Sequence, residues 1–342
     1  MTPNTIEDTQ NHRAGFVNLI GNPNVGKSTL MNQLVGEKIS IMTSKAQTTR
    51  HRIKGIVNGD DYQIVYSDLP GVLDPAYKMQ EMMMRFVVDS LQDADIVLYL
   101  IECGETKYNA ELVEKIKALG RPIVLIINKI DKYSEEEVQS SQAFWKEVFP
   151  EADIFAISAL KGIHIDEVRD RIINLLPLCP PYFPKDALTD RPMRFFVSEL
   201  IREQILLQYK KEIPYSVEVV VDSYKEDENL IRIGATLYVE RDTQKAIIIG
   251  SKGSAIKKLA TDARASIEDF LQKHIFLDLS VKVLKTDYVL EKEINNSSTH
   301  NTCSTTHKFS LGVTCKENYR KQYENVINRR SECRRRKSSV SI

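Results

Sequence analysis

Two kinds of stretch in the chain carry residue types suited to holding phosphates and bases. "GNPNVGKST", residues 21–29, fits G-x-x-x-x-G-K-[ST] in full. Gly21 and Gly26 permit tight turns that aim backbone N–H groups at phosphate oxygens, with Asn22, Pro23, Asn24 and Val25 forming the loop between them. Lys27 is expected to reach the outer phosphates and Ser28 to place its hydroxyl on Mg²⁺. Thr29 follows in a helix whose positive dipole end faces the bound anion. The base is read further along, at "NKID", residues 128–131. The Asp131 carboxylate can accept from both the N1–H and the 2-amino group of guanine. Adenine presents no such pair, and a mismatched polar site discriminates strongly. Asn128 can tie the base to the phosphate loop, and the Lys129 stem can cover the ring. "SAL" (Ser158, Ala159 and Leu160) ends a later strand and can support guanine O6 through the Ala159 N–H. A second glycine pair, G-x-x-G at Gly250, Ser251, Lys252 and Gly253, lets backbone approach backbone closely and adds a lysine charge for phosphate.

These stretches need a scaffold, and the hydrophobic pattern supplies one. "AGFVNLIG", "DIVLYLIE" and "PIVLIIN" are continuous apolar runs, as expected for strands covered on both faces. "HRIKGIVNGDDYQIVYSD" reads as two strands around an "NGDD" turn, and "ADIFAIS" as a further strand. Helical patterns lie at 77–91, 110–119, 135–148 and 163–176, and "STLMNQLVG" is a short helix stopped by Gly36. Strands alternating with helices imply a mostly parallel sheet. Five prolines between Pro177 and Pro192 predict a semi-rigid linker at 179–192. Beyond it, 193–210 is an amphipathic helix, "YSVEVVVDSY" and "LIRIGATLYVE" are strands, and "IFLDLSVKVLK" closes as an alternating strand. "KAIIIGSKGSAIKKLA" reads as an apolar strand entering a helix through the glycine loop, with another helix running to about residue 273. The element order is helix, strand, strand, helix, helix, strand.

The complete set of motifs resembles a translation-factor-class GTPase. In that resemblance "DLPG" supplies Asp68, Leu69, Pro70 and Gly71. Asp68 supports Mg²⁺ through water, and the Gly71 N–H senses the γ-phosphate. Leu69 stands where such proteins commonly have threonine, which puts local packing in question more than chemistry. "KAQTTRHR", residues 45–52, resembles the first switch, with Thr49 favoured over Thr48 to complete the Mg²⁺ shell. Lys27, Thr49, Asp68 and Gly71 are thus the expected catalytic set. Val72 occupies the position where many such enzymes carry a water-orienting glutamine, so slow intrinsic hydrolysis is expected. Relatives with asparagine at the Asn24 position use K⁺ there. A turn-stabilising role accounts for Asn24 equally well.

The G-x-x-G loop and the element order around it are similar to a type II KH domain, whose loop clamps single-stranded nucleotides. Ile248, Ile249 and Ile256 are expected to form an apolar floor for bases, with Lys257 and Lys258 on phosphates. Together with "KAQTTRHRI", "DRPMRFFVSELIRE", "IPYSVEV" and "IECGETK", the chain from about 15 to 285 resembles the bacterial Era GTPases. The fold class implied is α/β: a P-loop GTPase domain at 14–178, a linker at 179–192 and an α+β KH domain at 193–285. A flexible segment is expected at 1–13. The resemblance implies GTP/GDP and Mg²⁺ as ligands and binding near the 3′ end of small-subunit ribosomal RNA. It also implies a part in 30S assembly, a monomer, and peripheral association with the inner face of the cell membrane. An RNA-binding assembly factor that holds GTP with negligible turnover remains the alternative.

The 342 residues are 42% hydrophobic and 27% charged, a globular composition with zero formal net charge. The balance conceals a basic segment: from Glu291 onward there are eleven Lys/Arg against five Asp/Glu. Residues 286–342 depart from the resemblance and are expected to be disordered. They either touch RNA electrostatically or are coding sequence read in a shifted frame. Five cysteines without C-x-x-C spacing suggest reduced thiols. The polar start lacks a secretory signal and no apolar run is long enough to span a bilayer, so a soluble cytoplasmic protein is expected.

Overall fold

The structure is a computed structural model that describes residues 11–45, 48–73 and 78–284. The segment 286–342, with its expected disorder, and the first ten residues of the expected flexible segment 1–13 lie outside the described residues; the end of that segment is ordered, with His12 buried and Arg13 opening a strand. The chain divides into two units. Unit 1 takes the residues before Ile41 and the stretch 49–190, whereas Ile41–Thr48 cluster with unit 2, which resumes at Arg191.

Unit 1 is built on β1 (Arg13–Gly21), β2 (Ile53–Asn58), β3 (Tyr62–Asp68), β4 (Ile96–Glu102), β5 (Ile123–Asn128) and β6 (Asp153–Ala156). They form one sheet in the order β2-β3-β1-β4-β5-β6. Only β2 runs antiparallel, the outcome of the hairpin at the "NGDD" turn. The helices α1 (Lys27–Val35), α2 (Lys78–Asp93), α3 (Ala110–Ala118), α4 (Glu135–Val148) and α5 (Ile165–Leu175) cross between strands. Their ends follow local chemistry. Gly36 stops α1 in the left-handed region at φ 84°. Asn109 caps α3 by accepting from the Leu112 N–H, and Ser134 with Glu137 forms a capping box on α4. The fully buried Trp145 of α4 stacks on Phe149 and packs at a tilt against Tyr99, locking the helix to β4. Because β1 and β3–β6 are parallel, Gly21, Asp68, Glu102, Asn128 and Ala156 all end at the same edge, where open α/β sheets bind ligands.

The segment at 179–190 differs from the expected linker. It lies with unit 1, strapped along the hairpin edge. Ile56 N–H donates to Leu188 O, Thr189 Oγ1 to Lys54 O and Asn58 Nδ2 to Ala187 O. Prolines suit such a strap because an edge strand needs only some donors returned. Lys54 and Asp190 pair at 2.8 Å. Cys103 is a free, buried thiol, in line with the reduced-thiol expectation at that position.

Unit 2 contains α6 (Met193–Gln208), the single turn α7 (Ile213–Ser216), β7 (Glu218–Glu226), β8 (Ile231–Val239), α8 (Asp242–Ile249), α9 (Ser254–Leu271) and β9 (Ile275–Val283). Its sheet has the order β7-β8-β9, with β7 antiparallel and β9 parallel to β8. One correction concerns "KAIIIG": residues 242–249 are a helix and not a strand. The Gln244 side chain closes the first turn by accepting from the Glu240 and Arg241 N–H groups. A single long helix, α9, then follows the glycine loop. The element order is as expected, but the two helices flank the loop instead of both following it. Within this unit Arg202 is buried against Glu199 at 2.6 Å and also donates to Thr48 O. Among the described residues no helix is long and apolar enough to cross a membrane.

The strap hangs on Gln63, a fully buried side chain of β3. Its Oε1 accepts from the Tyr182 and Phe183 N–H groups at 2.7 and 2.9 Å, and its amide donates to Phe183 O and Asn58. Gln63→Ala leaves two donors without their acceptor and is expected to cost about 2 kcal/mol or more. The check is a lowered urea midpoint with an unchanged slope.

Candidate nucleotide site and G-x-x-G loop

At the carboxyl edge of the unit 1 sheet, β1 ends in the loop 21–26. Lys27 is buried and its ammonium donates to Gly21 O at 3.0 Å and Asn22 O at 2.9 Å, which holds it across the loop it would share with phosphates. Burial lowers its pKa to about 8, while the charges of Asp68 and Glu105 pull it back up. Asn24 has φ 64° and Gly26 φ 101°, left-handed positions that asparagine tolerates and glycine favours. Val25 is buried, and Asn22, Pro23 and Thr29 line the loop and the first turn of α1.

Three oxygens expected to serve Mg²⁺ meet. Ser28 Oγ donates to Asp68 Oδ2 at 2.6 Å, Thr49 Oγ1 donates to the same oxygen at 3.1 Å, and the two hydroxyls are 3.0 Å apart. Thr48 points elsewhere, donating to Lys45 O at 2.6 Å. Asp68 is fully buried and its Oδ1 has no partner among the described residues. Burial pushes its pKa up, and Ser28 and Lys27 draw it down. An orphaned buried carboxylate oxygen beside two hydroxyls is a hard-donor set that fits Mg²⁺. After Asp68 the chain turns so that a Cβ on Gly71 would stand 2.8 Å from the Pro23 backbone. Gly71 therefore allows the "DLPG" segment, through Pro70, to lie against the phosphate loop. Leu69 is fully buried in the apolar core, which answers the packing question raised by its departure from threonine.

The base end is organised by Asn128. Its amide donates to Val25 O at 2.8 Å and its Oδ1 accepts from the Ala159 N–H at 2.9 Å. The Ala159 N–H expected at guanine O6 is therefore engaged by Asn128 in this structure. Asp131 Oδ1 accepts from Ser158 Oγ at 2.6 Å, which orients the carboxylate. Lys129, at φ 68°, pairs with Glu102 at 2.5 Å. Ser158 and Ala159 are buried, and Leu160 is 69% exposed.

In unit 2 the G-x-x-G turn joins α8 to α9. A Cβ on Gly250 would meet Ala255 Cβ at 2.6 Å, so only glycine lets the two helices converge. Ser251, Lys252, Lys257 and Lys258 are exposed on the turn and the first turns of α9, and Ile249 and Ile256 are half-buried. Ile248 is a correction: it is fully buried in the core and its carbonyl accepts from the Tyr209 hydroxyl. Helical phase turns Ile248 inward and leaves Ile247, which the strand reading overlooked, 50% exposed.

Residues 16–129 match the family described as "50S ribosome-binding GTPase", and residues 212–287 match "KH domain". The chain is 44% identical over 277 residues to the GTPase Era of Syntrophus aciditrophicus, spanning 80% of this chain and 90% of that one. The chain belongs to the Era family of GTPases. It is also 44% identical to the chloroplastic GTPase ERA-like protein of Arabidopsis thaliana, over 82% of this chain and 66% of that one. A crystal structure of a single-residue variant of Aquifex aeolicus Era, bound to GDP and AlF4⁻, superposes with a TM-score of 0.78 at 34% identity, covering 83% of this chain and 98% of that one. A structure of Era with MgGDPNP and nucleotides 1506–1542 of 16S ribosomal RNA matches equally, with the same identity, coverage and TM-score.

Membership in the Era family makes the chain a GTPase with a KH domain. Sequence reasoning missed Glu102 and Glu105 within "IECGETK"; the available signal was two carboxylates just past a strand that runs beside "PIVLIIN". The base assignment has a direct check. Asp131→Asn is expected to weaken GTP binding by about a hundredfold or more, because the amide cannot accept both guanine donors. The same change is expected to favour xanthosine triphosphate, whose 2-oxo group accepts from an amide. Competition binding against a fluorescent nucleotide measures both.

Proposed function

We propose that the protein is a GTP-operated switch that binds small-subunit ribosomal RNA near its 3′ end and assists 30S assembly in the cytoplasm. The observation that carries this reading is the pairing, in one chain, of the Ser28–Thr49–Asp68 oxygen cluster with an exposed, lysine-bearing G-x-x-G turn. Its relative solved with 16S nucleotides supports the choice of RNA.

Lys27 and the loop N–H groups would hold the phosphates, and Asp131 the guanine. Ser28, Thr49 and Asp68 would hold Mg²⁺, which would supply positive charge against that developing on the phosphates during transfer. Thr49 and Gly71 flank the place of the γ-phosphate, so cleavage removes what orders them, a ligand-controlled order–disorder transition. Val72 is 5% exposed and packs in the core, and its N–H donates to Gly21 O at 3.0 Å. No side chain there can orient water, which supports slow intrinsic turnover. It also favours the second reading, a factor that holds GTP without cleaving it. Phosphate release with and without RNA separates the two. We assign Asn24 a K⁺ site on the family resemblance, and the left-handed turn accounts for the residue without it. Faster turnover in KCl than in NaCl is the result expected for a K⁺ site, and equal rates remove it.

The decisive measurement is binding to purified small ribosomal subunits. The wild-type chain is expected to bind at least about fivefold more tightly with a non-hydrolysable GTP analogue than with GDP. Lys27→Ala is expected to abolish the difference. Equal wild-type affinity with GTP analogue, GDP and no nucleotide overturns the switch.

A further inference from the structure

The turn that leaves β4 touches both ends of the nucleotide seat, although neither of its carboxylates entered the assignments above. Glu102 lies beside Asn128 in the sheet register. Its carboxylate takes the Lys129 ammonium at 2.5 Å and the Tyr133 hydroxyl at 3.3 Å. Glu105 faces the other way. Its Oε1 accepts from the Asn22 side-chain amide at 2.5 Å and its Oε2 from the Glu102 N–H at 3.2 Å. The Glu105 backbone is itself fixed. Its N–H donates to Glu102 O at 3.0 Å, and its carbonyl accepts from the indole of the fully buried Trp145 at 2.9 Å. On the far side of the contact, the Asn22 carbonyl accepts from Lys27 Nζ at 2.9 Å.

A carboxylate beside a polyanion seat carries an electrostatic cost. A neutral acceptor would satisfy Asn22 without that cost, so the contact needs a reason beyond surface solvation. The reason is geometric. A carboxylate accepts two donors at once, and here those donors come from the phosphate loop and from the turn that anchors the base lysine. Hydrogen bonds to charged acceptors are also the stronger kind.

We propose that Glu105 is a positioning residue for GTP and GDP binding: it fixes Asn22, and with it the carbonyl against which Lys27 is set. Through the turn shared with Glu102 it ties the phosphate end of the seat to the guanine end. Glu105 acts through Asn22 and Lys27, so it is distinct from the residues expected on the nucleotide. The inference rests on the guanine-nucleotide reading of this site.

The test is a double-mutant cycle on the full chain, read by fluorescent-nucleotide titration and steady-state hydrolysis. Glu105→Ala and Asn22→Ala are each expected to weaken GTP and GDP binding by about tenfold, the loss of a hydrogen bond to a charged group. The double variant is expected to be no weaker than either single one, because both remove the same contact. Glu105→Ala should raise KM and leave kcat within about twofold, because uniform binding is what it removes. Glu105→Gln keeps one acceptor oxygen and loses the second, so its affinity should fall between those of the wild type and Glu105→Ala. Thermal melts identify any variant that has lost its fold, and Asn22→Ala, on a half-buried loop residue, reads the contact if Glu105→Ala unfolds. Wild-type affinity in both single variants, or additive losses in the double variant, overturns the proposal. So does a Glu105→Gln as weak as Glu105→Ala. Failure of the wild-type chain to bind GTP would instead overturn the nucleotide reading itself.

Discussion

The nucleotide seat depends on one buried side chain. Asn128 is 2% exposed, and its amide joins the phosphate loop at Val25 to the loop after β6 at Ala159. Nothing larger than glycine fits where the loop passes it: a Cβ on Gly26 would stand 2.2 Å from the Asn128 amide nitrogen. The carboxamide offers a donor and an acceptor at fixed spacing, and both are satisfied. Inside a protein a fully satisfied polar link of this kind is rigid, and a half-satisfied one is costly. Three loops from three strand ends are thereby held in one register before any ligand arrives. Preorganisation of this sort spares the ligand the cost of ordering the loops.

The triphosphate end follows a different logic, in which a close approach replaces a polar link. Gly71 lets the "DLPG" segment lie against Pro23, and Leu69 and Val72 on either side are drawn into the apolar core. The core thus fixes the backbone around Gly71. The same burial leaves at Val72 an apolar side chain that cannot hydrogen-bond a water molecule. Asp68 shows the complementary arrangement. Two hydroxyls hold one of its oxygens and the other has no partner among the described residues, an arrangement suited to a cation.

Much of this was legible in the sequence because the signals are local. The phosphate loop, "NKID" and "SAL" each sit at the end of an apolar run, and a parallel sheet brings such ends to one edge whatever the loops contain. The illegible parts depend on partners far away in the chain. Prolines at 179–190 suggested a spacer, yet whether a proline-rich stretch hangs free or straps an edge depends on Gln63, more than a hundred residues earlier. "KAIIIG" is short, β-branched and glycine-ended, which periodicity alone cannot assign. Tertiary context made it a helix, and the change of period moved the exposed isoleucine from Ile248 to Ile247. Asn22 and Glu105 are separated by 83 residues, so no spacing rule connects them.

The two glycines of the second loop illustrate how one motif holds two unlike constraints. Gly250 is required by space, since Ala255 occupies the volume a side chain would need. Gly253 has open space around it and is required by conformation alone, at φ 77°. Lys252 between them also adopts a left-handed backbone, at φ 51° and ψ 29°. Two consecutive left-handed residues cost roughly 1–2 kcal/mol for the non-glycine member. Strain at an exposed lysine is retained where the surroundings over-determine it, and such sites cluster at ligand clamps. The motif therefore separates into a glycine that packs α8 against α9 and a strained lysine–glycine pair that presents backbone and charge to solvent. A substitution at Gly253 leaves the helix junction its space and alters the turn alone, whereas one at Gly250 displaces the helices that carry it.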